Sequence, residues 1–525
     1  MQIIRVISSL PKYTLVLMLT FLLLPLVSFL GFFEAFDTAK WCVLYLLVSA
    51  AAVLSLRGKQ VLRIPRCKLT RYGLIVTVIL MILQAVSLEQ SLVNKSVCDR
   101  AYFVLAAILF FNCSTGLKPY LTPLFAILSL PIALTCLWQT LTVSDAKLIG
   151  YISFFGNVNM GAQFLGLCAL FLLLDFKKNY YGYFIEAALV AILTFIYFSL
   201  CRSVMLALLL SAPVVLWRNS VSRPALCRVF VLSFLAILFC RSFFHPLEMD
   251  TRQLVGKDNS SSYRLTLWRA SVDMVRENPG GVGPGQFAYS VMPYKMKHQQ
   301  WANPFDIDQF PHNEFVRILA QDGIALFVLI FFFISLLAYK IWKLQASSEK
   351  SLLLGIFVFL AIEAMLQFPL ENAFPFLLMA WAVAAVFRME GQASQAIPNW
   401  FVGICVAIIL PMAGWYGVSE YWTRQASGDL SKMEQVCRFM PANWRGCMFY
   451  ANKLIQEVRL TDAEEVLQSV LVRQPYHFPA LRLLSQLQFR RNEWVKGCAT
   501  LKKYDEVFGG KSPLHEWMVG NCKVQ

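Results

Sequence analysis

Runs of apolar residues long enough to cross a bilayer recur down the chain, at 12–30, 38–56, 72–88, 101–116, 120–141, 160–174, 182–200, 203–217, 226–245, 314–339, 351–370, 373–388 and 398–417. They predict about thirteen membrane helices, the shortest at 101–116, 160–174 and 203–217. Two regions break the pattern. A polar interruption runs from Glu248 to Asn313, and from Ser419 to Gln525 the chain turns charged, with the periodicity of soluble helices. The expected fold class is therefore all-α: a polytopic membrane helical bundle of about 12–14 spans, a large loop outside the membrane and a small C-terminal α-helical domain. The expected boundaries are 1–150 for the N-terminal transmembrane helices, 151–417 for a membrane domain that includes loop 248–313, and 418–525 for the tail.

Composition supports this and adds an orientation. With 58% hydrophobic and 15% charged residues over 525 positions, the chain is too apolar for a soluble protein and too long for one anchor. The net charge of +16 does not point to nucleic acid, because the basic residues cluster in short turns between apolar runs. Arg57, Lys59, Arg63, Arg66, Lys68 and Arg71 carry no intervening acid, so the positive-inside rule places them in the cytoplasm. Alternation then puts Lys177-Lys178, Arg218, Arg223, Arg228, Lys340, Lys343 and Lys350 on the same side. Loop 248–313, the turn Cys201-Arg202-Ser203 and the tail fall on the other side. Arg5 and Lys12 before an apolar stretch resemble a signal peptide, but the stretch is long and lacks a small-residue cleavage site, so a retained first helix is expected.

The fourteen cysteines lie mostly inside apolar runs, as small hydrophobes, and form no C-x-x-C pair. Cys437, Cys447, Cys498 and Cys522 lie in the tail, where an oxidising compartment allows three connectivities. Pro441 and Pro475 stand 34 residues apart and bring Tyr450-Ala451 into register with Leu484-Ser485, which resembles a tetratricopeptide repeat. A generic helical hairpin domain is the alternative.

Several stretches carry candidate chemistry. Asn157 and Asn159, beside Gly156 and Gly161, can hydrogen-bond a sugar, or the stretch is simply a helix entry capped by Asn159. Arg202 borders hydrocarbon on the side where positive charge is disfavoured, which favours anion binding over interfacial snorkelling. In the loop, Tyr263 to Ala270 begins a helix with Arg264 and Trp268 on one face and Arg269 with Arg276 on another. The turn Asn278 to Gly285 follows. Its glycines permit close backbone approach, but neither a strand before it nor a helix after it is evident, so a loop-shaping role is expected. Asn313 can cap a helix starting at Glu314, leaving His312 at that helix's positive end, a field that disfavours the imidazolium. Asp306-Ile307-Asp308 could hold a metal but has no third carboxylate in evident reach, so a solvated acidic loop is the default. Glu363, Gln367, Glu371 and Asn372, around Pro369, either line the same cavity or sit at the interface.

Taken in order, Gly156-Asn157-x-Asn159, Ser199 to Ser203, Arg264-x-x-x-Trp268, Gly281-x-Gly283, and His312-Asn313-Glu314 before Asp322-Gly323 resemble the O-antigen ligase and polymerase superfamily, which includes bacterial protein O-oligosaccharyltransferases. The resemblance covers about residues 150 to 390, with its core from Arg264 to Gly323. It implies an undecaprenyl-diphosphate-dependent membrane glycosyltransferase of the bacterial inner membrane, working at the periplasmic face without metal or other cofactor. By matching position, His312 and Arg264 would be catalytic, and Arg202, Arg264 and Arg269 would bind the diphosphate. Asn157, Asn159, Trp268, Gly283, Asn313 and Glu314 would bind substrate. Two positions depart from the pattern. Cys201 stands where related sequences often have serine, and the asparagine motif lacks the proline or glutamine common in protein-glycosylating members.

The foremost expectation is an O-antigen ligase-like enzyme. The alternatives are a protein O-oligosaccharyltransferase, a polysaccharide polymerase and, from another class, a flippase for lipid-linked glycans. The expected partners are the undecaprenyl-diphosphate-linked glycan, an acceptor that is lipid A-core, protein or glycan, membrane lipids, and a periplasmic protein met by the tail. A flippase would show paired inverted half-chain repeats and intramembrane charges. The membrane part shows no convincing repeat, and its charges gather in one loop.

Overall fold

The computed structural model describes residues 10–28, 37–58, 61–66, 95–113, 117–142, 155–174, 180–217, 223–244, 259–283, 286–298, 310–391, 393–426, 429–439, 444–508, 510 and 512–522. The expected span at 72–88 and the Asp306/Asp308 pair lie outside them. Every other expected span carries a helix: α1 (Lys12–Leu23), α2 (Asp37–Arg57), α3 (Lys95–Phe111), α4 (Lys118–Thr142), α5 (Val158–Leu172), α6 (Tyr180–Ser199), α7 (Arg202–Leu216), α8 (Arg223–Phe244), then, after the loop, α12 (Glu314–Lys343), α13 (Ser348–Leu366), α14 (Ala373–Met389) and α15 (Asn399–Gln425). Among the described residues, six helices are long and apolar enough to cross a membrane by length and composition: α2, α4, α6, α8, α12 and α15. Shorter apolar helices α1, α5, α7 and α14 pack among them. The protein is an all-α polytopic membrane bundle.

One hydrophobic core runs from Tyr13 to Ala413 and so joins the N-terminal helices to the later ones. Outward-facing residues of α7, α8, α12 and α15, such as Leu209, Phe230, Phe234, Phe331, Phe332 and Trp400, are more than half exposed, as lipid-facing surface requires. Among the described residues, basic side chains of several turns lie at one end of the bundle. Strand β1 (Arg63–Pro65) pairs antiparallel with β2 (Ser394–Ala396). Close by in the chain, Lys118 Nζ donates to Ser348 Oγ at 2.7 Å, and Lys340 pairs with Glu390 at 2.6 Å. Helices that begin at this end finish at the other, where loop and tail emerge.

The loop holds α9 (Asn259–Glu277), the glycine turn, and two short helices, α10 (Phe287–Ser290) and α11 (Met292–His298). Helices do therefore follow the turn, contrary to the expectation from sequence; they are too short for apolar periodicity to register. The tail is a stack of helices: α16 (Leu430–Phe439), α17 (Trp444–Gln456), α18 (Leu460–Arg473), α19 (Phe478–Arg490), α20 (Trp494–Val507) and α21 (His515–Asn521). Of the three disulfide connectivities open to its cysteines, the structure has Cys437–Cys447 and Cys498–Cys522. The tail is not free of the loop. Met292 and Met296 of α11 are buried against Phe478, Leu481, Leu501, Tyr504 and Phe508.

Within the tail, His477 caps α19 by accepting the Ala480 N–H at 3.1 Å and packs edge-on against Trp444. Burial pushes its imidazole down to about 4. Above the unfolded value near 6.5 both states are neutral. As pH falls toward 4 the unfolded chain takes a proton that the folded one refuses, so stability drops by on the order of 3 kcal/mol and then levels off. Denaturant melts of the full chain followed by tail tryptophan emission are expected to show this loss between pH 6.5 and 4. His477→Asn, which keeps a capping oxygen, should flatten that slope; an unchanged slope would contradict the assignment.

Candidate active site

The site is built from helix ends at the pole opposite the basic turns. Between α6 and α7 the chain reverses in two residues. Leu200 takes the left-handed conformation (φ 53°) and the Cys201 N–H donates to Ser199 Oγ at 3.3 Å. Helix α7 then packs antiparallel on α13 at close range, because a Cβ on Gly355 would stand 2.3 Å from Val215 and 3.5 Å from the Ser211 carbonyl. This contact sets Ser203, at the start of α7, beside Glu363, near the end of α13. Arg202, next to them, is exposed.

Glu363 is 1% exposed. Gln163 Nε2 donates to its Oε2 at 2.9 Å, and Asn372 Nδ2 donates to Gln163 Oε1 at 2.7 Å. A narrow cavity bordered by Asp37, Lys40, Phe155, Gln163 and Asn372 opens beside this chain of polar groups. Helix α5, which carries Gln163, is capped by Asn157, whose side chain accepts the Asn159 N–H at 2.9 Å. The helix entry is capped, but by Asn157 and not by Asn159 as expected, because Asn159 already lies inside the first turn. Gln163, one turn further into an apolar helix, is the residue that reaches the site; sequence reasoning passed over it, although an amide inside a membrane helix is itself a signal.

From the loop, Arg264 on α9 lies within electrostatic reach of Glu363 and Cys201. One turn on, Trp268 Nε1 donates to the Pro311 carbonyl at 2.9 Å, fixing α9 to the segment that carries His312. His312 adopts φ 52°, packs 5.6 Å from Phe368, and sets Nδ1 3.4 Å from Gln367 Oε1. Phe310 stacks on Phe368 at 4.6 Å, so the two polar turns adhere through aromatic faces. Asn313 caps α12 by accepting the Val316 N–H at 3.0 Å. Arg269, five residues after Arg264 in α9, is exposed. On α9's outer side, His298 Nε2 lies 2.6 Å from Asp273 Oδ2, and that hydrogen bond holds Asp273 below the usual carboxylate range.

Glu314 faces inward. It pairs with Arg317, which also reaches Glu371 at 3.1 Å and Gln321 Oε1 at 3.1 Å, a buried network tying α12 to the turn after α13. Arg100 forks onto Asp322 at 2.8 and 2.9 Å. Beyond them α12 breaks at Gly323 (φ 84°, ψ 172°). The glycine turn fills the break: Val282 and Gly283 donate to the Ala320 and Gln321 carbonyls at 3.0 and 2.9 Å, and Ile324 donates to the Pro279 carbonyl at 3.0 Å. The Gly283 N–H is thus spent on α12. The turn shapes the loop by closing a helix break.

Residues 187–331 match the O-antigen ligase family model. The matched stretch, under a third of the chain, is similar to that family. It contains Arg202, Arg264, Trp268, Arg269, Gly283, His312, Asn313 and Glu314, while Asn157, Asn159, Gln163 and the Glu363–Asn372 turn fold onto it from outside. No curated protein matches the chain. The O-antigen ligase match supports a membrane glycosyltransferase of ligase or polymerase type, in a multi-pass membrane protein. Among the described residues no cluster of three or more histidine, cysteine or carboxylate side chains could hold a metal ion.

The glycine contacts predict a sharp effect. A Cβ on Gly281 would lie 2.4 Å from the Gln321 carbonyl oxygen, and one on Gly323 would lie 2.5 Å from the Gly280 carbonyl. Both glycines also sit at positive φ, where a side chain adds about 1–3 kcal/mol of strain. Gly281→Ala and Gly323→Ala are each expected to lower the thermal midpoint and abolish glycan transfer, whereas Gly280→Ala, which meets nothing within 4 Å, should leave both near wild type. Equal tolerance of all three substitutions in purified protein would disprove the clamp.

Proposed function

We propose that the protein moves a glycan from undecaprenyl diphosphate to an acceptor hydroxyl at the periplasmic face of the bacterial inner membrane, as an O-antigen ligase with lipid A-core as acceptor. The observation that carries this reading is the convergence of His312 and the Arg264 helix, held together by the Trp268–Pro311 hydrogen bond inside the family-matched stretch. The acceptor oxygen bonds to the anomeric carbon as that carbon's bond to the diphosphate breaks. The hydroxyl proton passes to His312, and the electron pair leaves with undecaprenyl diphosphate. Arg264 and Arg202 stabilise the charge that develops on the leaving oxygens, a task suited to guanidinium forks in a partly dry site and one that asks for no metal. Arg269, exposed on the next face of α9, meets the diphosphate only at the rim.

A further observation supports the orientation, and another bears on the acceptor. The tail's two disulfides fit an oxidising periplasm. The packing of α11 on the tail favours a second reading, in which the tail presents a protein acceptor to the loop, as in a protein O-oligosaccharyltransferase. Complementation of strains lacking either the lipopolysaccharide ligase or a protein glycosylation ligase, with gels showing which acceptor gains glycan, separates the two.

His312→Ala and Arg264→Ala are expected to abolish transfer, a loss of at least about a hundredfold, with membrane insertion unchanged. Normal transfer by both purified variants, given lipid-linked donor and acceptor, would sink the proposed site.

A further inference from the structure

The turn that closes over His312 contains a residue the catalytic reading leaves unused. Gln367 ends α13, donates its backbone N–H to the Glu363 carbonyl at 2.6 Å, and is 8% exposed. Its neighbour Phe368 is sandwiched by Phe310 and His312, and Pro369 begins the 3-10 turn Pro369–Glu371. The Gln367 side chain is thus anchored on a helix end, while the ring it meets is held at a left-handed backbone position and against an aromatic face. An imidazole has one N–H and one lone pair when neutral, and the partner of one nitrogen decides which nitrogen is left basic.

We propose that Gln367 is a positioning residue for His312: its side-chain oxygen accepts the Nδ1 proton, which makes Nε2 the ring atom that takes the acceptor's proton. The inference rests on the reading of His312 as the base. With Oε1 facing Nδ1 at 3.4 Å, two lone pairs would oppose each other unless Nδ1 carries the proton, and the proposal takes the Nδ1–H form. Proton movement is balanced: the hydroxyl proton goes to Nε2, the Nδ1 proton stays on the ring, and the resulting imidazolium is stabilised by the Gln367 oxygen until the proton is released to water. A carboxamide there orients the ring without adding a negative charge next to the site proposed for the diphosphate, where a carboxylate would oppose donor binding.

The test is full-length protein in lipid nanodiscs, with undecaprenyl-diphosphate-linked glycan and lipid A-core, and kcat and KM measured across pH. Gln367→Leu is expected to lose at least about tenfold in kcat, with KM for both substrates within about twofold, since a base is worth about 10²–10⁴ in rate. Gln367→Glu keeps the acceptor atom and should rescue kcat, with the acid limb of the profile moved to higher pH because a carboxylate favours the imidazolium. A Gln367→Leu enzyme with wild-type kcat overturns the proposal. So does a Gln367→Glu enzyme that is as inactive as His312→Ala, which would mean that Nδ1 accepts a proton from the amide. If His312→Ala itself transfers normally, the base reading falls and takes this inference with it, whereas an inactive His312→Ala beside an unaffected Gln367→Leu removes the positioning role alone.

Discussion

The break in α12 at Gly323 is the constraint on which the site depends. A helix that departs from its hydrogen-bond ladder at a buried position leaves carbonyls and an N–H that water does not reach, and such a break persists where protein re-satisfies them. Here the glycine turn does so with three backbone hydrogen bonds. The approach is so close that neither Gly281 nor Gly323 has room for a Cβ. Because the same turn ends α9, closing the break also fixes where α9 lies, and with it Arg264 and Trp268.

The buried ions next to the break serve geometry more than stability. Arg317, 8% exposed, is shared by Glu314, Glu371 and Gln321. A buried pair of this kind gains little net free energy, since desolvation offsets the attraction, yet removal of one partner costs about 3–5 kcal/mol by stranding the other. The network leaves Glu314 Oε2 and Arg317 Nε buried without a hydrogen-bond partner, so it is held by geometry rather than by full satisfaction. It binds the first turn of α12 to the turn after α13, and so sets the two segments that bear His312 and Gln367 in register. The stacked Phe310 and Phe368 make the same junction from the apolar side.

Much of this was legible in the sequence because it is written locally. Apolar runs announce the helices, since a span must be hydrophobic along its whole length. The i,i+4 spacing of Arg264 and Trp268 gave a shared face, and an asparagine before Glu314 gave the cap, which the structure realises at Val316. What escaped was written in pairs far apart. Gln163 and Glu363 are separated by 200 positions, and Arg100 and Asp322 by 222, so neither partner alone distinguishes a site from an interfacial polar residue. The pairing of the tail cysteines escaped for a different reason: four cysteines allow three connectivities, and spacing alone selects none.

The glycine turn shows why the limit is physical. In isolation, Gly280-Gly281-Val282-Gly283 fits a loop, an anion cradle or a sharp reversal equally well, because glycine permits all three. Gly323, inside an apolar helix, likewise reads as a tolerated flaw in helix propensity. Each is explained only by the other's backbone: Gly281 lacks a side chain because the Gln321 carbonyl occupies that space, and Gly323 lacks one because the Gly280 carbonyl does. The information is steric and reciprocal, carried by atoms the residues do not have. A periodicity built from side chains cannot report it, and the fold can specify it without any polar residue to mark the place.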